Sequence, residues 1–213
     1  MLETIIAAAD AIGVIAFAVS GALLAAEKNF DIFGILVLGL LTAFGGGVVR
    51  DLLLGAVPPV FFTSYTSALL AVLASLAVFL VCRFGGRLKP GVGVDIAAVV
   101  NVFDAVGLGI FAVTGVNMAI EHGFADNPLL CITVGTLTGI GGGIIRDIMA
   151  GEVPSVLRKN VYALAAILGA ACYYYLIYFG VSVLPAVLTA AGLTVALRLL
   201  ATYFHWHLPR PRP

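Results

Sequence analysis

The sequence predicts an all-α integral membrane protein in which seven transmembrane helices form two inverted three-helix repeats plus a seventh helix, one transmembrane domain over residues 1–213. Three observations carry that expectation. The composition is 62% hydrophobic and 10% charged, with a mean hydropathy of +1.15, more apolar surface than a soluble core needs. Apolar runs recur at the length that crosses a hydrocarbon layer of about 30 Å. The first half of the chain is also rewritten in the second.

The runs are Ile5 to Ala26, Ile32 to Leu54, Val60 to Cys82, Ile96 to Ala119, Leu129 to Ala150, Val156 to Phe179 and Ser182 to Phe204. The first lacks a basic leader region and carries Glu3 and Asp10, so it reads as a retained span. Basic residues orient the rest. With the N-terminus outside, the cytoplasmic side receives Lys28, then Arg83, Arg87 and Lys89, then Arg158 and Lys159, then Arg198, Arg210 and Arg212. The external loops receive none of these, which predicts an external N-terminus and a cytoplasmic C-terminus. His205, Trp206 and His207 read as an anchor at the inner interface, with weak metal binding by the two histidines as the alternative.

The repeat is read from identities. Asp10 to Gly21 (DAIGVIAFAVSG) matches Asp104 to Gly115 (DAVGLGIFAVTG), an offset of 94 that also carries Glu27 onto Glu121 and Phe30 onto Phe124. An offset of 96 then carries Gly39 onto Gly135, Thr42 onto Thr138, Arg50 onto Arg146 and Asp51 onto Asp147. The units cover about residues 5–82 and 96–179, and the additional helix covers about 182–204. Three crossings are an odd number, so the second unit starts from the opposite side. Inverted repeats of this kind occur in proteins that move solutes past a midplane site.

At the heart of each unit stands one motif. Gly45, Gly46, Gly47, Val48, Val49, Arg50, Asp51 are followed by Gly55 and Pro58; Gly141, Gly142, Gly143, Ile144, Ile145, Arg146, Asp147 are followed by Gly151 and Pro154. Three glycines weaken a helix, and a charged pair is costly in an apolar span. The run is expected to kink or unwind its helix, freeing carbonyls that could ligate a permeant cation. Close helix packing at the glycines is the alternative. Asp10 should join Arg50 and Asp51 in one cluster, and Asp104 should join Arg146 and Asp147 in the other, either as pathway mouths or as static salt bridges. Asp10, Gly13, Phe17 and Gly21 follow helical spacing, as do Asp104, Gly107, Phe111 and Gly115, and Ser20 and Thr114 adjoin those faces with hydroxyl oxygens. Glu27, Glu121 and Glu152 read as solvated charges at span ends.

Other classes fit less well. Eleven basic residues balance eleven acidic ones, so charge recommends no nucleic-acid partner; the implied partner is membrane lipid. Cys82, Cys131 and Cys172 have no ligand or disulfide spacing. The motif lacks the Gly-Lys-Ser/Thr of a phosphate loop, and no nucleophile triad or metal-ligand set forms, so neither an enzyme nor a cofactor is expected.

Seven spans, two inverted repeats and a twin GGGxxRD resemble the bacterial branch of the trimeric intracellular cation channel family, over essentially the whole chain. The resemblance implies a homotrimer with an ion pathway in every protomer, potassium as the main permeant ion and sodium also passing, in the bacterial inner membrane. It places Gly45, Gly46, Gly47, Arg50, Gly141, Gly142, Gly143 and Arg146 at or beside that pathway. The Lys-Glu-Val motif that animal relatives use for phosphoinositides does not occur here, so that regulation is not implied. The same bacterial family is also associated with glycine transport, for which an inverted repeat would serve equally well.

Overall fold

The structure is a computed structural model and describes residues 2–84, 95–158 and 161–206. Arg87, Lys89, Lys159, His207, Arg210 and Arg212, which carry part of the expected charge bias, lie outside the described residues, as does the side chain of Arg158. The described chain is helical throughout: α1 (Leu2–Glu27), α2 (Ile32–Leu54), α3 (Tyr65–Phe84), α4 (Ile96–Ala119), α5 (Pro128–Met149), the four-residue α6 (Ser155–Arg158), α7 (Tyr162–Tyr178) and α8 (Val183–Tyr203).

Local chemistry sets the ends. The Asp31 carboxylate accepts from the Gly34 N–H at 2.7 Å and Asn127 Oδ1 accepts from the Leu130 N–H at 3.0 Å, which starts α2 and α5. Gly55 and Gly151 follow the other ends of those helices at φ 71° and 72°, a left-handed turn that glycine makes without strain. Six of the described helices have the length and hydropathy to cross a membrane; α7, at 17 residues, is shorter. They present large apolar side chains outward, such as Phe33, Leu69 and Leu188, which suits a lipid solvent rather than water.

Two expected spans begin differently. The third run was placed from Val60, but residues 60–62 form a single 3-10 turn and α3 starts at Tyr65. The sixth was placed from Val156, but α6 ends at Arg158 and α7 begins at Tyr162. Both stretches are apolar, yet each follows a proline and is tied back to the preceding helix by an aspartate: Asp51 Oδ2 accepts from the Val60 N–H at 2.8 Å, and Asp147 Oδ2 from the Ser155 N–H at 2.6 Å.

Four helices make the centre. Phe17 of α1 lies against Gly107 of α4, where a Cβ would come within 2.1 Å of its ring, and Phe111 of α4 lies against Gly13 of α1, where a Cβ would come within 3.0 Å. The two rings are 5.2 Å apart. Helices α2 and α5 cross beside this pair, and α8 lies against α4 and α7. Consecutive long helices run antiparallel, so the bundle has one face with the N-terminus and the α2 C-terminus, and an opposite face with the C-termini of α1, α5 and α8.

Candidate functional site

The glycine runs explain how α2 and α5 meet. Both helices remain α-helical through residues 45–47 and 141–143, so the expected unwinding does not occur and their carbonyls stay in the helix ladder. The glycines instead remove bulk. A Cβ on Gly46 would lie 2.0 Å from the Thr138 carbonyl oxygen, and one on Gly142 would lie 2.1 Å from the Thr42 carbonyl oxygen. Gly141 rests on Gly46, and Gly45 faces the Ile145 side chain. The third glycine of each run differs: Gly47 and Gly143 lie beside the arginine sites, with Arg50 Nη2 and the Tyr162 hydroxyl as their respective nearest neighbours.

One turn further on, each helix delivers its arginine and aspartate. On the face opposite the N-terminus, Arg146 Nη1 donates to Asp104 Oδ1 at 2.7 Å and to Ser20 Oγ at 2.5 Å. Its Nε and Nη2 donate to Asp147 Oδ1 at 2.9 and 2.8 Å. All four residues are buried. The Tyr162 hydroxyl also donates to Asp104, at 3.2 Å. A cavity of about 260 Å³ opens from this network and reaches Glu27 and Glu152 at its rim, where Lys28 pairs with Glu152.

On the N-terminal face the same residue types are arranged more loosely. Arg50 Nε donates to Asp51 Oδ1 at 2.8 Å, both buried. Asp10 shares two cavities with Arg50 but forms no ion pair with it within 4 Å. The expected cluster of Asp10, Arg50 and Asp51 is thus a tight pair with a separate carboxylate across a gap, whereas Asp104, Arg146 and Asp147 are in direct contact. Thr114, the counterpart of Ser20, lines the larger of these cavities, about 260 Å³, with its Oγ1 buried and without a hydrogen-bond partner. Ser20 belongs to the first unit but binds the arginine of the second, so this hydroxyl serves across the repeat rather than within it.

Three participants escaped the sequence analysis. Arg198 of α8, counted there among the cytoplasmic basic residues, is buried at 2% exposure. Its Nη2 donates to Asn101 Oδ1 at 3.0 Å, lies 3.8 Å from Asp104 Oδ2, and its guanidinium sits 4.3 Å from the centre of the Tyr162 ring. The signal was present: Arg198 interrupts an apolar run, where a charge faces protein or water rather than lipid. Asn101 and Tyr162 gave no comparable signal, since neither belongs to a motif.

Two buried arginine–aspartate centres on crossing helices, each beside a cavity on an opposite face of a bundle of apolar helices, define an integral membrane protein. Comparison with known proteins gives its lineage. The profile of a family described as "Glycine transporter" matches residues 7–83 and 101–178. The UPF0126 inner membrane protein YadS of Escherichia coli is 37% identical over 202 residues, covering 95% of this chain and 93% of that one. A UPF0126 membrane protein of Deinococcus radiodurans is 46% identical over 169 residues, 78% and 74% of the two chains. Among solved structures, the TRIC trimeric intracellular cation channel orthologue from Rhodobacter sphaeroides superposes with a TM-score of 0.86 at 32% identity, covering 95% of this chain and all of that one. A second structure, of a TRIC cation channel, gives 0.81 at 38% identity over 96% of both chains. The chain belongs to the bacterial TRIC family, which includes the UPF0126 membrane proteins.

Proposed function

We propose that the chain is a potassium-permeable monovalent cation channel of the bacterial inner membrane, with sodium also passing. It assembles as a homotrimer surrounded by lipid, and each protomer has its own pathway. Seven helices cross, as two inverted three-helix units and α8; α7 reaches about 25 Å at about 1.5 Å per residue, a shortfall that local thinning can absorb. The N-terminus is outside and the C-terminus cytoplasmic. The observation that carries this reading is the pair of cavities on opposite faces, one reaching Arg146 and Asp147 and the other reaching Arg50, which together flank the α2–α5 crossing. The pathway narrows between Thr114 and Ser20, with Gly47 and Gly143 beside the two arginine sites, while Gly45, Gly46, Gly141 and Gly142 hold the crossing together.

Arginines in a cation pathway would repel the ion if unpaired. Here Asp51 neutralises Arg50, and Asp104 and Asp147 neutralise Arg146. Planar-bilayer recording of the purified protein tests the proposal: discrete currents with a potassium over chloride preference are expected, altered in Arg50→Ala and Arg146→Ala. Wild-type conductance and selectivity in both variants, with assembly intact, would remove the arginines from the pathway and favour a structural role.

A carrier for a small amino acid such as glycine is the second reading, favoured by the description of the matching family. An arginine could hold the substrate carboxylate and an aspartate its ammonium. Silence in bilayers alongside saturable glycine uptake into liposomes would decide for it.

A further inference from the structure

The cavity on the N-terminal face contains more acid than its arginine can neutralise. Glu3, Asp10 and Glu121 line it with Arg50, and Arg50 is already paired with Asp51. Among the described residues those three acids form no ion pair. Glu121 is nevertheless fixed in place. Asn117 Nδ2 donates to its Oε1 at 2.7 Å, and the hydroxyl of the fully buried Tyr173 donates to Asn117 Oδ1 at 3.0 Å. A carboxylate that merely met solvent at a helix end would need no such relay behind it.

A second observation points into the same space. Thr114 is 3% exposed, lines this cavity, and its Oγ1 has no hydrogen-bond partner, whereas its counterpart Ser20 is engaged by Arg146. A buried hydroxyl oxygen without a partner is an available ligand for an occupant of the cavity. No three His, Cys, Asp or Glu side chains among the described residues converge closely enough to chelate a metal. The donor set therefore suits a partly hydrated monovalent ion held loosely rather than a divalent ion held tightly.

We propose that this cavity is a staging site for the permeant monovalent cation, with the carboxylates of Glu121 and Asp10 and the hydroxyl of Thr114 as its protein ligands. The site rests on the channel reading above and adds residues outside the twin motif to it. Negative charge at a narrow mouth raises the local cation concentration, and salt screens that effect over about 10 Å at 0.1 M but about 3 Å at 1 M.

The test is single-channel recording in potassium chloride, at about 0.1 M and about 1 M, with each side diluted in turn. Glu121→Gln should lower the current carried by potassium arriving from the N-terminal face about two-fold or more at low salt, with little change at high salt. Thr114→Val should raise the potassium concentration giving half-maximal conductance. Asp126→Asn, an exposed acid on the same face outside the cavity, should match wild type. Wild-type currents in Glu121→Gln at low salt, or a loss of equal size at both salts or from both sides, would overturn the staging site. A silent wild type would overturn the channel reading and the site together, whereas a conducting wild type with indifferent variants overturns the site alone.

Discussion

Arg50 and Arg146 occupy equivalent positions in the two units but differ in what depends on them. Arg146 is hydrogen-bonded to Asp104, Asp147 and Ser20, so its removal leaves buried Asp147 without its cation and buried Asp104 with only Arg198, 3.8 Å away. Breaking a buried pair in this way costs about 3–5 kcal/mol. Arg50 is bonded to Asp51, whose other oxygen keeps the Val60 N–H when the guanidinium is lost, so a cost of about 1–3 kcal/mol is expected. Thermal unfolding in detergent should therefore show a larger drop for Arg146→Ala than for Arg50→Ala, by roughly a factor of two. Equal losses would mean that the Asp104 contact contributes nothing net. The aspartates do two jobs, since Asp51 and Asp147 hold both the arginine and the returning loop. Asp→Asn at either position keeps an acceptor for one of these groups but removes the charge.

The crossing of α2 and α5 depends on the middle glycine of each run. Gly46→Ala or Gly142→Ala would press a methyl group against a backbone carbonyl at 2.0 or 2.1 Å, and backbone cannot rotate away as a side chain can. Forced separation of this kind costs about 1–3 kcal/mol or more. Gly47→Ala meets only the flexible tip of Arg50 at 3.7 Å and should unfold like wild type, a difference readable in the same thermal assay. The elements themselves were largely legible from hydropathy: Ile32–Leu54 and Ile96–Ala119 have the bounds that the apolar runs predicted. The starts of α3 and α7 were not, because Val60, Phe61, Phe62, Val156 and Leu157 are as apolar as the helices that follow. The preceding prolines and the bonds from the Val60 and Ser155 N–H groups to Asp51 and Asp147 set these short helical turns apart from the spans. The glycine run was recognised as special, but its sequence could not separate unwinding from close approach. That choice depends on what lies opposite, and the Thr42 and Thr138 carbonyls come from the partner helix.

Across the whole molecule the two faces are unequal, and α8 is the element that makes them so. The duplicated units bring Asp10 and Asp104 to matching places, yet Asp104 alone receives a second arginine, Arg198, with Asn101 and Tyr162 around it. The result is a tighter network on one face, whose cavity ends at Arg146 with Ser20 bonded behind it, and a cavity reaching Thr114 itself on the other. Accessibility should follow that difference. With Cys82, Cys131 and Cys172 replaced, Thr114→Cys should react with a small cationic thiol reagent added on the N-terminal face, while Ser20→Cys, beneath Arg146, should be protected from either side. A hydrogen bond to a charged group contributes about 1.5–3 kcal/mol, so adding Arg198→Gln should speed modification of Ser20→Cys from the opposite face about tenfold or more. Asp104 still keeps Arg146 and Tyr162 in that variant, so the bundle should remain folded, which size-exclusion chromatography checks. Equal protection of Ser20→Cys with and without Arg198 would show that Arg146 closes that face unaided, and that α8 packs against the pathway without controlling it.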